Sequence, residues 1–341
     1  MKGKALDELS PLQQAQTTFV QHVPMRSISF ITVKLADACG CTLYESVTAP
    51  IDMPPYPRAI VEGYLVKAAS TQGASEADPR VFEVVGAIQP GDDSHPEITD
   101  KQALSVVTGS IVPNQDYAIV RMWEAKQIDD KHIAAERGFP PNFFIETQGC
   151  DLQKGSEVLA AGTIIGPWEL ALLASLGIVD VKVSSAPKVA VFASGNEVIA
   201  PNEEMRPGAI RDCNSIMLSG AIKQAGGTAK QFGIMHDDFD YFLAQLNKAL
   251  QESDMVVISG GTAIDGRDFV SDLIREVGSL VIDGVQMRSG RPLIMGVAND
   301  KPIVCVAGHP PEALRGFNLF GVAALNRLLG RNLPIPEDQK T

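Results

Sequence analysis

Apolar residues in the second half of the chain fall in short unbroken runs, each closed by a glycine turn: KVAVFASGNEV (188–198), DMVVISGGTAIDGRD (254–268) and KPIVCVAGHPPEALRGF (301–317). Unbroken rather than alternating apolarity predicts strands buried on both faces, as in a parallel sheet. From 187 onward the pattern predicts strands at VAVFAS, TAKQFGIM, MVVISG, SLVIDGVQM, RPLIMGVAN and PIVCVAG. Between and after them NSIMLSGAIKQAGG, DYFLAQLNKALQES, DFVSDLIREVG and PEALRGFNLFGVAALNRLLG read as helices. This alternation predicts a doubly wound α/β domain over 187–331, followed by a short tail, 332–341.

The first half reads differently. Residues 8–50 predict one or two helices around VQHVPMRSISFITVKLADACG, ending before the proline cluster of APIDMPPYPR (49–58), where helix is forbidden and a domain crossing is expected. The short segments YLVKA, FEVVGAI, ALSVVTG, YAIVRMWEA and KHIAAER, separated by Gly, Pro and Asp, predict an inserted β-rich domain over 59–145. A helix returns within 148–183, with Pro167 near its start and Gly177 at its end. Residues 1–58 with 146–186 then form an N-terminal linker domain.

With 341 residues, the chain is too long for one ordinary core, which agrees with this division. A formal net charge of −12, from 29 basic and 41 acidic residues, argues against a nucleic-acid surface or a polybasic membrane contact. Any anionic ligand must therefore be held locally. No apolar run approaches the ~20 residues of a membrane span, and the polar start MKGKALDELSPLQQ lacks a signal-peptide core. The expected location is cytoplasmic. Cys39, Cys41, Cys150, Cys213 and Cys305 include no CxxC pair, and no HExxH or His/Cys cluster points to zinc.

The glycine turns locate the candidate chemistry. Ligands of open α/β sheets sit at the carboxyl ends of the strands. There glycine admits close backbone approach, and helix N-termini favour phosphate. Asp212, Asp265 and Asp268 stand beside these turns and would repel a bare phosphate unless a hard cation such as magnesium lay between. Arg288 and Arg291 in MRSGRP supply positive charge. The competing reading is that these are turn residues chosen for geometry alone. Asp212 could serve only as a helix cap, His309 could satisfy a loop carbonyl, and Glu62 could be an exposed turn carboxylate. Trp123 and Trp168 read as packing residues rather than a stacking platform for a bound ring.

In order along the chain, APIDMPPYPRAIVEGYLVKA, VTGSIVPNQDYAIVRMWEA, QGCDLQKGSEVLAAGTIIGPWELALLASLGI, SGNEV, GAIRDCNSIML, DMVVISGGTAIDGRDFV, MRSGRP and AGHPPEA resemble the successive motifs of the molybdopterin molybdenumtransferases. This is the MoeA and gephyrin E-domain family. The resemblance implies an elongated N-terminal half carrying an inserted β-rich domain, followed by an α/β domain of the adenylyltransferase kind. It also implies a reaction: adenylylated molybdopterin is bound, magnesium assists hydrolysis of its phosphoanhydride with release of AMP, and molybdate is inserted at the dithiolene sulfurs. A homodimer is implied, with a molybdoenzyme or an adenylyltransferase as a further partner. The alternative is a non-catalytic molybdopterin carrier or chaperone on the same fold.

Carried over position by position, the resemblance assigns Glu62, Asp151, Asp212 and Asp268 to the catalytic carboxylates; for the metal, Asp212 and Asp268 are joined by Asp265, which the local run Asp265–Gly266–Arg267–Asp268 offers either to magnesium or to an ion pair. It assigns Ser194, Gly195, Asn214, Gly260, Gly261, Thr262, Arg288, Arg291, Gly308, His309 and Pro310 to the ligand loops. Several positions depart from the family pattern. Glu62 replaces the aspartate of DGYA, Asn196 the aspartate of TGDEL, and Ala263 and Asp265 the serine and glycine of the GG-x-S-x-G loop. Arg288 and Arg291 replace lysines, and His309 replaces the asparagine of PGNP. Loss of a hydroxyl and gain of a carboxylate beside a phosphate predict weaker anion binding unless a further cation compensates. The chain also stops soon after the last motif, so the small C-terminal β domain typical of the family is expected to be missing.

Overall fold

The computed structural model describes residues 9–24, 29–113, 116–236, 238–260, 269–287 and 292–338. The chain divides into two compact units, 47–159 and 1–46 with 160–341.

In the 47–159 unit, strands β1 (Gly63–Lys67), β2 (Arg80–Ile88), β3 (Gln102–Val106), β4 (Tyr117–Arg121), β5 (Ala125–Gln127) and β6 (His132–Ala135) form one sheet in the order β4-β1-β3-β2-β6-β5. The five segments expected to be strands are all present. Their pairing is long-range: β2 and β3 run parallel and every other neighbour is antiparallel. Alternate residues feed two apolar clusters, one with Leu65, Leu104 and Ile119, the other with Val66, Ala103, Ala118 and Val120. At the tip following β4, the carboxylate of Glu124 accepts from Arg121 Nε and Arg137 Nη2, each at 2.7 Å. Those two hydrogen bonds overcome partial burial and hold its carboxyl down at about 2. The same guanidiniums lie over aromatic rings, Arg121 over Trp123 and Phe144, Arg137 over Phe139 and Phe143.

The other unit is built on a six-stranded sheet of β7 (Lys188–Ser194), β8 (Thr228–Met235), β9 (Met255–Gly260), β10 (Ser279–Asp283), β11 (Ile294–Ala298) and β12 (Lys301–Val306), ordered β8-β7-β9-β12-β11-β10. The first four are parallel, and β11 and β10 are antiparallel additions. This is the α/β architecture that the unbroken apolar runs predict. Period-2 alternation splits each central strand between two cores. Val189, Val191, Met255, Val257, Val304 and Val306 meet α3 (Asn214–Gln224), α6 (Pro310–Gly316), the π turn Phe317–Gly321 and α7 (Val322–Leu328). Ala190, Phe192, Val256, Ile258, Ile303 and Cys305 meet α4 (Phe239–Glu252) and α5 (Phe269–Val277).

Two features near the N-terminus depart from the sequence reading. Among the described residues of 8–50 there is a single α-helix, α1 (Leu12–His22), and the apolar run FITVK is a strand, Phe30–Lys34, paired antiparallel with Asp180–Ser184. β-branched residues fit a pleated ribbon better than a helix, but the partner strand lies far along the chain and local pattern does not show it. Helix α1 also enters the first α/β core through Ala15, Phe19 and Val23, with Phe19 6.3 Å from Phe320 between ring centroids. The helix expected around Pro167 is α2 (Pro167–Ser175), and Gly177 takes φ +77° just beyond its end, a conformation suited to glycine.

Arg331 secures the same unit. Its guanidinium donates to Thr42 Oγ1 at 2.9 Å, to Ala225 O at 2.8 Å and to Asn326 Oδ1 at 3.3 Å. A Cβ on Gly226 would lie 2.6 Å from its Nη2, so that glycine leaves the space the guanidinium occupies. The bond to Ala225 O places a cation at the C-terminus of α3, where the helix dipole favours it.

Candidate functional site

The carboxyl ends of β7, β9 and β12 lie side by side, since Ser194 is in register with Gly260 and Ser259 with Val306. Each strand ends in one of the glycine turns, and glycine is needed for two distinct reasons. Gly260 has φ +89°, and a Cβ on it would lie 2.7 Å from Ser194 O and 3.9 Å from Gly308 Cα. Two strand ends thus approach more closely than any side chain permits. Gly195, at φ +145°, would bring a Cβ within 2.6 Å of the Glu197 carboxylate.

Asn214, at the start of α3, fastens this edge. Only 7% exposed, its Nδ2 donates to Ser259 Oγ at 2.8 Å and to Gly308 O at 2.7 Å. Ser259 Oγ passes its own hydrogen to Ala307 O at 3.1 Å. Ser194, 6% exposed, carries a buried Oγ with no hydrogen-bond partner among the described residues. A buried hydroxyl left unpaired costs roughly 1–3 kcal/mol, so this position gains from a ligand atom that can bond to it.

Asp212 lies beside this edge, half-buried, its Oδ1 accepting from Ser215 N at 2.9 Å. The capping role is therefore realised. Asp212 is held there because Val198–Ile199 pairs with Ile210–Arg211 and Asp212 N donates to Ile199 O at 2.9 Å. On the other side of the edge, His309 is exposed and its Nδ1 meets the carboxylate of Glu312 one turn along α6. Pro310 opens that helix at its first position.

Of the other residues named from the sequence, Gly261, Thr262, Asp265, Asp268, Arg288 and Arg291 lie outside the described residues. Glu62 and Asp151 belong to the 47–159 unit, and both are exposed. The Glu62 carbonyl accepts from Met122 N at 3.1 Å, which fixes the backbone entering β1. Asp151 N donates to Met53 O at 3.0 Å, and its carboxylate adds to the field that raises the affinity of Arg58 for its proton, after the hydrogen bond from Arg58 Nε to Glu146 Oε2. The expectation that Trp123 and Trp168 pack inside fails: they are 70% and 77% exposed. Trp123 sits at the tip of a turn over Arg121, and Trp168 in the first turn of α2, where neither has a core to enter.

The magnesium expectation rests on Asp212, Asp265 and Asp268, of which Asp212 alone lies within the described residues. No group of three or more His, Cys, Asp or Glu side chains among the described residues is arranged to hold a metal.

Three residues at this edge carry no recognisable sequence signal. Ser259 reads as one more small residue of a buried strand, yet it connects Asn214 to Ala307. Cys305 is fully buried with Sγ 3.7 Å from Gly260 O, and burial pushes its thiol up to about 12. Glu312 is detectable only as a carboxylate three positions after His309.

Profiles of two conserved regions match the chain: "MoeA N-terminal region (domain I and II)" over residues 10–177 and "Probable molybdopterin binding domain" over 190–327. A "Putative molybdopterin biosynthesis protein" from Methanocaldococcus jannaschii is 33% identical over 296 residues, 84% of this chain and 72% of that relative. The chain belongs to the MoeA family. A molybdopterin molybdenumtransferase from Staphylococcus epidermidis is 28% identical over 318 residues, covering 93% of this chain and 75% of the relative. The crystal structure of the MoeA molybdopterin biosynthesis protein from Pyrococcus horikoshii OT3 superposes with a TM-score of 0.79 at 30% identity, over 95% of this chain and 80% of that one. The molybdopterin-binding profile spans β7, β9 and β12, so the strand-end edge falls inside the region that names the ligand class. Among the described residues no helix is long and apolar enough to cross a membrane.

Proposed function

We propose that this MoeA-family protein is a molybdopterin molybdenumtransferase: it binds adenylylated molybdopterin at the ends of β7, β9 and β12 and exchanges the adenylyl group, released as AMP, for molybdate. The observation that carries the reading is the edge itself. Two strand ends meet at glycines, an amide fastens them, and the buried Ser194 Oγ has no partner among the described residues. Such an edge offers hydrogen-bond dipoles and close backbone approach to a phosphate.

Magnesium belongs to the proposal because Asp212 stands beside the edge, and a hard cation would relieve its repulsion from a phosphoanhydride. Glu62 and Asp151, on the 47–159 unit, complete the proposed carboxylate set. In this reading the protein acts as a cytoplasmic homodimer, whose two-fold symmetry gives two equivalent sites. A molybdoenzyme or an adenylyltransferase is the partner class that would take or supply the cofactor.

The test is titration of the purified protein with adenylylated molybdopterin, with and without molybdate and magnesium, following AMP. Release that requires both additions is the expected outcome. Tight binding with no AMP under any condition would instead make the protein a molybdopterin carrier.

A further inference from the structure

His309 stands at the strand-end edge, following directly on Gly308, whose carbonyl is pinned by Asn214 and whose Cα faces Gly260. Its ring is oriented: Nδ1 is engaged by the Glu312 carboxylate, and Nε2 has no partner among the described residues. A carboxylate at Nδ1 fixes the neutral tautomer that carries its hydrogen there, leaving the Nε2 lone pair open to take a proton. The ring is 70% exposed, so water has access to it.

We propose that His309, positioned by Glu312, is the general base that activates water for cleavage of the phosphoanhydride. The inference rests on the molybdenumtransferase reading. Water oxygen bonds to an anhydride phosphorus while the bridging P–O bond breaks. The water proton passes to Nε2, the bridging oxygen stays with the departing phosphate, and AMP and molybdopterin phosphate separate. His309 then returns its proton to solvent. Asparagine, which the sequence motif otherwise carries at this position, cannot accept a proton in this way, so the histidine adds a function to the loop. Glu312 acts through the ring and is a positioning residue.

The experiment is single-turnover AMP release by the full-length protein, with ligand affinity measured separately by calorimetry. His309→Ala is expected to slow AMP release about 100-fold, within the range of general base catalysis, with affinity changed less than about threefold. Added imidazole should restore about tenfold of the loss, which a purely structural role would not allow. Glu312→Gln is expected to slow release about tenfold without rescue by imidazole. Both side chains lie on the surface turn of α6, and a melting curve confirms that each variant folds. An active unaltered protein whose His309→Ala variant keeps full rate overturns the base. So does a loss that follows affinity alone and ignores imidazole, because that marks an anchor. An unaltered protein that binds the ligand and releases no AMP overturns the molybdenumtransferase reading itself.

Discussion

The strand-end edge of the α/β unit and the Arg121–Glu124–Arg137 cluster of the β-rich unit solve opposite problems. The edge is neutral and partly buried: Ser194, Asn214 and Ser259 are buried, Gly260 is half-buried and Gly308 is exposed. The cluster is ionic and lies near solvent, two guanidiniums sharing one carboxylate over four aromatic rings. A chain with net charge −12 cannot attract an anion by its overall field. It can hold one where fixed dipoles are buried, whereas the surface ion cluster contributes to local order and little to binding.

The largest expected effect is at the edge. Gly260→Ala places a Cβ 2.7 Å from Ser194 O in a left-handed backbone. It should cost about 2–4 kcal/mol in urea unfolding and abolish ligand binding. Gly91→Ala in the β-rich unit shares the positive φ, +95°, but meets no atom within 4 Å, and should cost only about 1–2 kcal/mol. Equal losses would show that the strand ends relax and that close approach is not what Gly260 provides.

Asn214→Ala comes next. It removes the donor shared by Ser259 Oγ and Gly308 O and should cost about 1–3 kcal/mol in the same measurement. Ligand affinity measured by calorimetry should fall with it. A variant that loses stability and keeps affinity would separate the fastening of the edge from its binding role.

In the ionic cluster, Glu124→Gln should cost about 1 kcal/mol near neutral pH, since the pairs are partly screened by water. The folded carboxyl titrates at about 2, against an ordinary 4.5. Its contribution is therefore present above 4.5 and is lost as pH falls from 4.5 toward 2. Unfolding curves across that window should converge for the two proteins. Parallel curves would mean that the arginines do not hold the charge.

The smallest effect near neutrality, and the sharpest in pH, belongs to Cys305. Its folded thiol is pushed up to about 12 from an ordinary 9.0. The folded state thus holds the proton more tightly, and stability falls as pH rises from 9 toward 12. In the native protein, a thiol reagent should modify the exposed Cys39, Cys150 and Cys213 long before Cys305. Early labelling of Cys305 would show that the edge opens on the labelling timescale.

Much of this was readable from the chain because its causes are local. Unbroken apolar runs specify strands buried on both faces, and Gly195 and Gly260, which close two of them, are required by backbone angle or close approach. The turn at Gly177, the helix at Pro167 and the segments of the β-rich sheet follow from similarly local rules. Ser259 and Glu312 were not legible in this way. A serine in a buried strand or a glutamate in a helix takes its meaning from Asn214 and His309, and only the fold sets which atoms meet.

The sequence by itself therefore determined the family, the alternation of strands and helices, and the three glycine turns, since each is a property of residues adjacent in the chain. The tertiary structure decided that α1 belongs to the α/β core, that FITVK is a strand paired with Asp180–Ser184, and that both tryptophans face solvent. It also decided that Ser194 has a buried hydroxyl without a partner among the described residues. These depend on contacts between distant segments, whose free energy comes from packing and desolvation after the chain has folded, and local propensity carries no record of them.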